Sequence, residues 1–354
     1  MAIRIGDRII TKEGRPYFIA DIAANHDGSL ERAYKLIELA KEAGADAAKF
    51  QNFKAKTIVS KNGFDTMPQV SHQASWKKSV FEVYEDASIN TEWTEKLYER
   101  CKKVGIEYMT SPYDFDSVDL VEKYVNAYKI GSGDITWTQI LEYMGSKRKP
   151  IILATGASDM TDVERAMKTI QKYTKDIVLM QCNTNYTAKA ENFKYINLNV
   201  LKTYSQRYPD VVLGLSDHTH GHATILGALA LGARVFEKHF TDDNNREGPD
   251  HKFAMNPVTW KAMVDAANEL YNAMGDGIKK IEDNERESVI VQQRAVYVQR
   301  QLSKGSIITA ADIYPLRPLK TNCVYPYEMD KVIGKHILRD VMPDECLTWD
   351  IIEK

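Results

Sequence analysis

The sequence predicts a parallel (β/α)8 barrel followed by a small, mostly β module. Strand-length apolar runs recur along the chain, each followed by a helical pattern, which is typical of a parallel sheet. The runs are apolar throughout, as expected for strands covered on both faces. Eight such runs lie at residues 18–23, 47–50, 107–110, 127–130, 151–154, 177–180, 211–215 and 235–238. Eight strand–helix units match a closed barrel.

An open, doubly wound sheet is the alternative fold. That fold favours a glycine-rich phosphate turn after its first strand, whereas this chain has Ala23-Ala24-Asn25-His26 there. Start and stop signals support individual helices. Ser29 and Gly44 bracket a helical pattern at residues 30–43, and the stretch 161–164 predicts a capping box.

Two departures from regular strand–helix alternation stand out. Residues 53–90 form a long, aromatic-rich excursion after the second barrel strand. A loop of that length predicts a lid or a partner surface, and an insertion without a role in the chemistry is the alternative. The barrel pattern ends near residue 274. We therefore expect a barrel domain over 1–274, a charged, glycine-containing linker over 275–290, and a β module over 291–354.

Bulk composition favours a soluble, cytoplasmic protein. The chain has 354 residues and a formal net charge of −2, which gives no electrostatic case for nucleic acid. No apolar stretch is long enough to cross a bilayer, and residues 1–5 alternate like a short strand rather than a secretory leader. The 4 cysteines lack CxxC spacing, so we expect reduced thiols rather than a disulfide or zinc framework.

Two histidines close the last two predicted barrel strands. His218 follows Asp217, and His239 follows Glu237 and Lys238. One helical pattern joins the two strands, so both imidazoles are expected at the same end of adjacent parallel strands. A single histidine there would more often bond a carbonyl. A pair on rigid strands, each with an acid nearby, predicts a divalent metal site.

Other polar residues are predicted at the same end of the barrel, where barrel enzymes hold their catalytic groups. The ends of strands one to eight carry Asp21, Asn25, His26, Lys49, Gln51, Thr110, Ser111, Lys129, Ser132, Asp134, Thr155, Cys182, Asn183, Thr184, Tyr186, Ser216, Asp217, His218, Glu237 and His239. Two lysines among hydroxyls suit a phosphate ester, and a metal beside them suits a polarised carbonyl. The pattern predicts carbon–carbon bond formation between a phosphorylated carboxylate and a carbonyl compound.

Several motifs in order resemble one enzyme family, the sialic acid (nonulosonate) synthases that use phosphoenolpyruvate. The motifs are Ala20-Asp21-Ile22-Ala23-Ala24-Asn25-His26-Asp27-Gly28, Lys49-Phe50-Gln51, Tyr128-Lys129-Ile130-Gly131-Ser132-Gly133, Gly214-Leu215-Ser216-Asp217-His218-Thr219, Glu237-Lys238-His239-Phe240 and Gly248-Pro249-Asp250. The resemblance covers nearly the whole chain. The C-terminal module resembles the antifreeze-like SAF domain of these enzymes.

The resemblance implies a role for each matching residue. Phosphoenolpyruvate would be held by Lys49, Lys129, Ser111 and Ser132, with Thr155 close by. His218 and His239 would bind Mn2+ or Mg2+. Asp21 matches the residue that handles the proton of a water. The positions matching sugar contacts are Gln51, Asp134, Tyr186 and Asp250, and Thr184 and Ser216 join them as candidate substrate-binding residues.

Four positions depart from the family pattern. Asp21 and Asp134 stand where glutamate is usual, Ala154 where serine is usual, and Thr184 where asparagine is frequent. The acceptor sugar therefore stays open among N-acetylmannosamine, diacetamido-trideoxy hexoses and a 6-phosphorylated sugar. The resemblance also implies a domain-swapped homodimer, in which Arg317 of one SAF module serves the barrel of its partner.

Two other functions remain as alternatives from the residues. One is a Schiff-base aldolase that uses Lys129 or Lys49 as the nucleophile. The other is a non-catalytic protein that binds carbohydrate or ice through the C-terminal module. Borohydride trapping with pyruvate would support the aldolase, and strict metal dependence would oppose it. The non-catalytic protein should ignore metal chelation and should not need Lys49 or His218.

Overall fold

The structure, a computed structural model, describes residues 2–67, 76–187 and 189–354. Residues 68–75, within the predicted excursion, therefore lie outside the described residues. The chain forms two compact units, Met1–Gly275 and Asp276–Lys354. In the described parts of the chain, no helix is long and apolar enough to cross a membrane.

The first unit is a closed barrel of eight parallel strands, preceded by a hairpin. The hairpin strands are β1 (Ala2–Ile5) and β2 (Arg8–Thr11), and the barrel strands are β3 (Tyr17–Asp21), β4 (Ala47–Asn52), β5 (Glu107–Pro112), β6 (Tyr128–Ile130), β7 (Ile151–Ala154), β8 (Ile177–Cys182), β9 (Val212–Asp217) and β10 (Ala233–His239). The strand order is β5-β4-β3-β10-β9-β8-β7-β6, and β5 contacts β6 to close the barrel. The predicted barrel and its eight strands are confirmed.

Helices follow the barrel strands as the alternating pattern predicts. They are α1 (Leu30–Glu42), α2 (Ala55–Ile58), α3 (Lys61–Asp65), α4 (Val80–Ala87), α5 (Trp93–Val104), α6 (Phe115–Val121), α7 (Thr138–Ser146), α8 (Met160–Ile170), α9 (Val200–Arg207), α10 (Ala223–Ala230) and α11 (Pro257–Ala273). Ser29 caps α1 by accepting from the Arg32 amide, as predicted. The box predicted at 161–164 is wrong by two residues, because Asp159 caps α8 and pairs with Asp162.

The barrel interior and the N-terminal hairpin share one apolar cluster. Ile3, Ile5 and Ile10 of the hairpin are buried against interior residues of the strands, among them Ile152 and Val178. A second, larger cluster fills the space between the strands and the outer helices. The hairpin therefore plugs the end of the barrel opposite to the carboxyl ends of its strands. The sequence predicts β1 but not its partner β2.

The second unit is less regular than the predicted β module. It contains α12 (Arg286–Gln292), the antiparallel strands β11 (Ala295–Val298) and β12 (Ile313–Leu316), and α13 (Met329–Val332). After α13, residues 333–338 contribute only isolated bridges, at His336 and Ile337. The residues predicted as a linker, 275–290, include the start of α12.

The second unit also contains a disulfide that the sequence does not predict. Cys323 is joined to Cys346, 23 residues away, with their Cα atoms 6.2 Å apart. The expectation of four reduced thiols is therefore wrong for this pair, while Cys101 and Cys182 are free and buried. Spacing could not reveal the pair, because the tertiary fold brings the two segments together.

Candidate active site

A cavity of about 360 Å³ opens at the carboxyl ends of the barrel strands. This volume falls within the range of small-molecule sites, about 300–1,000 Å³. Its lining consists of Asp21, Ala24, Lys49, Gln51, Phe53, Ile58, Trp76, Val83, Tyr84, Ala87, Tyr113, Lys129, Gly131, Ser132, Gly133, Asp134, Ala154, Cys182, Tyr186, Ser216, His218, Glu237, His239, Pro249 and Asp250. Residues from all eight barrel strands, or from the loops that follow them, meet here.

Two buried lysines face two buried carboxylates in this cavity. Lys49 is 1% exposed and Lys129 is 3% exposed. The Lys49 ammonium lies 2.6 Å from Asp21 Oδ2 and 3.9 Å from Glu237 Oε1, and Lys129 Nζ lies 3.3 Å from Glu237 Oε1. Pairing of this kind compensates part of the desolvation cost of charges held away from water. The cluster therefore keeps two cations in place for an anionic ligand.

Electrostatics keep Lys49 protonated. Burial alone lowers the pKa of its ammonium, but the carboxylates of Asp21 and Glu237 outweigh burial and raise that pKa above its ordinary value. Asp21 is itself held at both oxygens, because Oδ1 accepts from the Ala23 amide at 3.1 Å and Oδ2 accepts from Gln51 Nε2 at 3.2 Å. Lys49 thus presents a fixed positive charge rather than a free amine.

The two predicted metal-ligating histidines lie side by side in the cavity. The ring centroids of His218 and His239 are 5.4 Å apart. His218 Nδ1 donates to the Asn183 carbonyl at 2.9 Å, which directs its Nε2 elsewhere. His239 Nδ1 is buried without a hydrogen-bond partner among the described residues. Burial, together with His218 and Lys49, lowers the pKa of His239 well below its ordinary value, so its imidazole is neutral.

This donor set fits an open metal site rather than a closed structural one. Neutral imidazole nitrogens are ligands for divalent cations, and catalytic sites leave positions for water or substrate. Glu237 Oε2 is also buried and unpaired in the described chain, beside the histidines. Among the described residues, no group of three or more His, Cys, Asp and Glu side chains is placed to hold a metal alone. His218 and His239 would then share the ion with non-protein ligands.

A buried ion pair lies behind the two histidines. Asp217 and Lys238 face each other in the β9–β10 register and directly precede His218 and His239 in the chain. Lys238 Nζ lies 2.5 Å from Asp217 Oδ2 and donates to the Thr219 carbonyl at 2.6 Å. Asp217 Oδ2 also accepts from Thr224, at 2.8 Å. The network fixes the ends of both strands, and hence the spacing of the imidazoles.

The excursion after β4 supplies one side of the cavity. Phe53, Ile58, Trp76, Val83, Tyr84 and Ala87 line it, and we call these six residues the excursion wall. Its rings contact each other and the barrel, with Phe53 5.5 Å from Tyr84 and 6.0 Å from Tyr113 between centroids. Sequence reasoning named none of these side chains, nor Glu237, as substrate-binding residues. The aromatic richness of residues 53–90 was the only available signal.

Two further carboxyls in the cavity have raised pKa values. Burial raises the pKa of Asp134 to about 6, and nearby Lys129 offsets only part of this effect. Burial and the neighbouring Asp21 raise the pKa of Asp250 to about 6. Carboxyl groups with shifted pKa values in a cleft are typical of functional sites. Holding their charge in a buried place lowers the stability of the fold.

Asp134→Asn is expected to stabilise the protein at pH 7. The folded protein binds the Asp134 proton more tightly than the unfolded chain does, so the ionised form costs stability above pH 6 and stability increases as pH falls toward 4. Removing the charge should raise the free energy of unfolding by about 1–3 kcal/mol at pH 7. Urea unfolding between pH 4 and 7 measures this. The exposed Asp116→Asn is the control, expected to change stability by less than about 0.5 kcal/mol. A loss of stability in Asp134→Asn at pH 7 would contradict the raised pKa of the Asp134 carboxyl.

Most predicted site residues meet in the cavity, and four do not line it. Those in the lining are Asp21, Gln51, Lys49, Lys129, Ser132, Asp134, Tyr186, Ser216, His218, His239 and Asp250. Ser111 Oγ is buried and unpaired among the described residues, although Ser111 is outside the lining. Thr184 lies close to Ser132, since its Cγ2 is one of the atoms nearest to Gly156. Arg317 is an exposed residue of the second unit.

Thr155 lies outside the lining of the cavity, and its hydroxyl bonds to other parts of the barrel domain. Its Oγ1 donates to the Met180 carbonyl at 2.9 Å and accepts from the Tyr204 hydroxyl of α9 at 2.9 Å. Side chains alternate along a strand, so Ala154 lines the cavity and Thr155 points toward the helices. The Thr155 hydroxyl holds α9 against the barrel and is not available to a ligand in the cavity.

Known proteins share both parts of this chain. Residues 36–279 match the NeuB family and residues 293–353 match the SAF domain. The N,N'-diacetyllegionaminic acid synthase of Legionella pneumophila is 33% identical over 95% of this chain and 94% of its own. The enzyme of the same name from Campylobacter jejuni is 32% identical over 93% of this chain and 98% of its own.

A solved structure agrees in fold along the whole chain. The crystal structure of the spore coat polysaccharide biosynthesis protein SpsE from Bacillus subtilis is 29% identical, with a TM-score of 0.66, over 100% of this chain and 99% of that chain. The family match spans more than half of the chain, and both legionaminic acid synthases align over nearly its full length. The chain therefore belongs to the NeuB family of sialic acid-type synthases, which are transferases, and it carries a SAF domain at its C-terminal end.

Proposed function

We propose that this protein condenses phosphoenolpyruvate with an open-chain N-acylated hexosamine. The products are a nine-carbon 2-keto sugar acid and inorganic phosphate, released by cleavage of the C–O bond. The observation that carries the proposal is the pairing of two buried lysines with two adjacent histidines in one cavity. The lysines suit an anionic phosphate ester, and the histidines suit an ion that binds a carbonyl.

Phosphoenolpyruvate would bind at the lysines. Its phosphate and carboxylate would take up the ammonium groups of Lys49 and Lys129, which now pair with Asp21 and Glu237. Ser132 adds a hydroxyl that accepts from the Gly156 amide at 2.9 Å, so its own proton can be donated to an anion. Ala154 contributes no hydrogen bond where family members usually have a serine.

The chemistry then follows from placing the enol carbon beside the sugar aldehyde. C3 of phosphoenolpyruvate attacks the aldehyde carbon. The π electrons of the aldehyde move to its oxygen, which takes a proton and becomes a hydroxyl, and C2 is left cationic and oxocarbenium-like. Water adds to C2 and gives its proton to Asp21, whose carboxylate is held at both oxygens. In the collapse of the resulting intermediate, the C2–O bond to phosphate breaks, the C2 hydroxyl gives its proton to the departing phosphate, and the 2-keto group forms. Lys49 and Lys129 stabilise the departing phosphate by charge.

His218 and His239 would hold the divalent ion, Mn2+ or Mg2+. When bound, such an ion supplies Lewis-acid polarisation of a carbonyl. Asp134, Asp250, Gln51 and Tyr186 line the cavity around this region and offer acceptors and donors for sugar hydroxyl and amide groups. These four positions would orient the aldehyde toward the enol.

Isotope-resolved phosphate release tests the reaction. Purified protein is given phosphoenolpyruvate labelled with 18O in the oxygen that bridges C2 and phosphorus, with N-acylated hexosamines and with Mn2+ or Mg2+. The proposal expects phosphate that retains the label, formed only when both sugar and metal are present. Unlabelled phosphate, or turnover that persists after metal chelation, contradicts it.

The electrostatics of the site bear directly on one alternative function, the Schiff-base aldolase. Its nucleophile must be a neutral amine, whereas the carboxylates raise the pKa of Lys49. Borohydride treatment in the presence of pyruvate distinguishes the two reactions. A covalent adduct on Lys49 or Lys129 supports the aldolase, and its absence alongside metal-dependent phosphate release supports the condensation.

We further propose that the active unit is a domain-swapped homodimer, with Arg317 completing the partner's site. A guanidinium can pair with sugar hydroxyls or a carboxylate. Mixing inactive Lys49→Ala subunits with inactive Arg317→Ala subunits should restore part of the activity, because each mixed dimer contains one intact site. The control is Arg339→Ala, an exposed arginine of the same unit, which should remain active. Absence of recovery after confirmed subunit exchange contradicts the swap.

A further inference from the structure

Two loops meet at the barrel mouth next to His239, the β3–α1 loop (residues 22–29) and the β10–α11 loop (residues 240–256). Each contributes to the cavity lining, with Ala24 from the first loop and Pro249 and Asp250 from the second. The loops touch at the site itself, where Asp250 Oδ2 accepts from the Ala24 amide at 3.3 Å. The position of the Asp250 carboxyl therefore depends on how the two loops are joined.

Neither loop is held well by contacts inside the cavity. Asp250 lies in a buried place where Asp21 repels its charge, and one long hydrogen bond from a neutral amide compensates little of that cost. The β3–α1 loop is strained, with positive φ angles of 45° at Ala23 and 49° at Asp27. Such conformations persist where the surrounding structure holds them. Both loops therefore depend on contacts outside the lining.

Asp27 provides contacts of this kind. Its Oδ1 lies 2.8 Å from His251 Nε2, and its Oδ2 accepts from Arg246 Nε at 2.8 Å. Arg32 of α1 lies 3.0 Å from Asp27 Oδ2 through its Nε, and its two terminal nitrogens donate to Asp242 at 2.5 and 3.0 Å. Charged hydrogen bonds of this type are the stronger ones. They tie three residues of the β10–α11 loop to Asp27 and to the start of α1.

The His251 ring is placed to donate to Asp27. It is fully buried, and a Cβ on Gly248 would lie 2.6 Å from its Cδ2, so the ring fits tightly. Burial lowers the pKa of the imidazole and the Asp27 carboxylate offsets only part of that effect, so the ring is neutral. Its Nδ1 lies 2.7 Å from the Thr241 hydroxyl, which can donate to it, and Nε2 then carries the proton. Because His251 directly follows Asp250, the bond to Asp27 fixes the backbone beside the cavity.

We propose that Asp27 and His251 form a latch between the two loops, and that this latch positions Asp250 for the acceptor sugar. Neither Asp27 nor His251 is in the cavity lining, so both are positioning residues. The inference rests on the proposed condensation, in which Asp250 contacts the sugar. Without the latch, the Asp250 carboxyl turns away from Asp21 toward water. Sugar binding then weakens, while the lysine site for phosphoenolpyruvate remains.

Two variants of similar size test the latch. His251→Leu cannot bind Asp27 or Thr241, whereas the side-chain amide of His251→Gln can still donate to Asp27. The acceptor is N-acetylmannosamine or 2,4-diacetamido-2,4,6-trideoxymannose, whichever gives the faster phosphate release with the wild-type protein. We expect KM for this sugar to rise at least about tenfold in His251→Leu and to stay within about threefold in His251→Gln. The Kd of phosphoenolpyruvate, measured by calorimetry, should change by less than about twofold in both.

Asp27→Asn tests the other half of the latch. Asparagine adopts positive φ as readily as aspartate, so the backbone keeps its conformation, but the charge that binds Arg246 and Arg32 is lost. The sugar KM should rise at least about threefold, again without a change in phosphoenolpyruvate binding. Lys252→Ala is the control, because it truncates an exposed side chain directly after His251. It should leave both quantities unchanged.

Hydrogen exchange measured by mass spectrometry reports on the latch without any substrate. Amides of residues 245–254 should exchange at least about tenfold faster in His251→Leu than in the wild type, with the barrel strands still protected. An unchanged sugar KM in folded His251→Leu and Asp27→Asn proteins, or equal losses of sugar and phosphoenolpyruvate affinity, overturns the inference and leaves the condensation intact. No phosphate release by the wild type with either sugar contradicts the condensation instead. Hydrogen exchange then decides on the latch, and unaltered exchange in the variants overturns it.

Discussion

Alanine at Lys49 or Lys129 is expected to lower kcat/KM for phosphoenolpyruvate by at least about a thousandfold. Each lysine is a buried cation in the cavity. A preorganised cation that contacts a departing phosphate stabilises the transition state by about 3–4 kcal/mol. Steady-state phosphate release measures the loss. Because the two cations share Glu237, their effects should not add in the double variant.

The control for this experiment is Lys54→Ala. Lys54 lies just beyond β4, is more than one-third exposed, and pairs with Asp116 at 3.5 Å. Its removal should leave turnover within about twofold, since surface ion pairs contribute about 1 kcal/mol or less. Circular dichroism and thermal unfolding establish that the Lys49 and Lys129 variants are folded. Near-normal phosphate release by both would rule out the anion site.

Breaking the Asp217–Lys238 pair is expected to be the most destabilising single change near the site. Lys238→Met leaves the Asp217 carboxylate buried without its cation, which costs about 3–5 kcal/mol. Burial raises the pKa of Asp217, but Lys238, Thr224 and Thr219 outweigh it, and the net pKa lies below its ordinary value. The stabilisation is therefore complete at neutral pH and is lost only as pH falls through that lowered pKa.

Urea unfolding measures the stability of the Lys238→Met protein, and Mn2+ titration measures its affinity for the metal. A weaker affinity for Mn2+ is expected as well, because the pair fixes the strand ends that carry His218 and His239. Adding Asp217→Asn should restore part of the lost stability by removing the unpaired charge. Lys261→Met is the matched control, since its exposed partner Asp265 on α11 keeps contact with water. Wild-type stability in Lys238→Met would show that the pair does not hold the strands.

The barrel was predictable because its signals are local. Each strand is a short apolar run, and the polar residues that end each run, such as Lys49 and His239, must meet at one end of a parallel barrel. The hairpin strand β2 was missed because Arg8–Thr11 has only one fully buried residue, Ile10, and gives a weak periodic signal.

Other features depend on contacts between distant segments. Whether Phe53 or Tyr84 reaches the cavity depends on how the excursion folds back, and no spacing rule reports that. The orientation of Thr155 depends on the phase of alternation along β7, where a shift of one residue exchanges cavity and helix faces. The Cys323–Cys346 pair likewise depends on the path of the second unit.

The closed base of the barrel also determines how ligands enter and leave the cavity. Ile3, Ile5 and Ile10 fill the end opposite to the mouth, so whatever reaches Lys49 and Lys129 arrives and departs by the same route. In the proposed reaction, a sugar bound at the mouth would block the entry of phosphoenolpyruvate and the exit of phosphate. Binding should thus follow a compulsory order, with phosphoenolpyruvate first and phosphate released last, so that free phosphate competes with phosphoenolpyruvate for the empty enzyme.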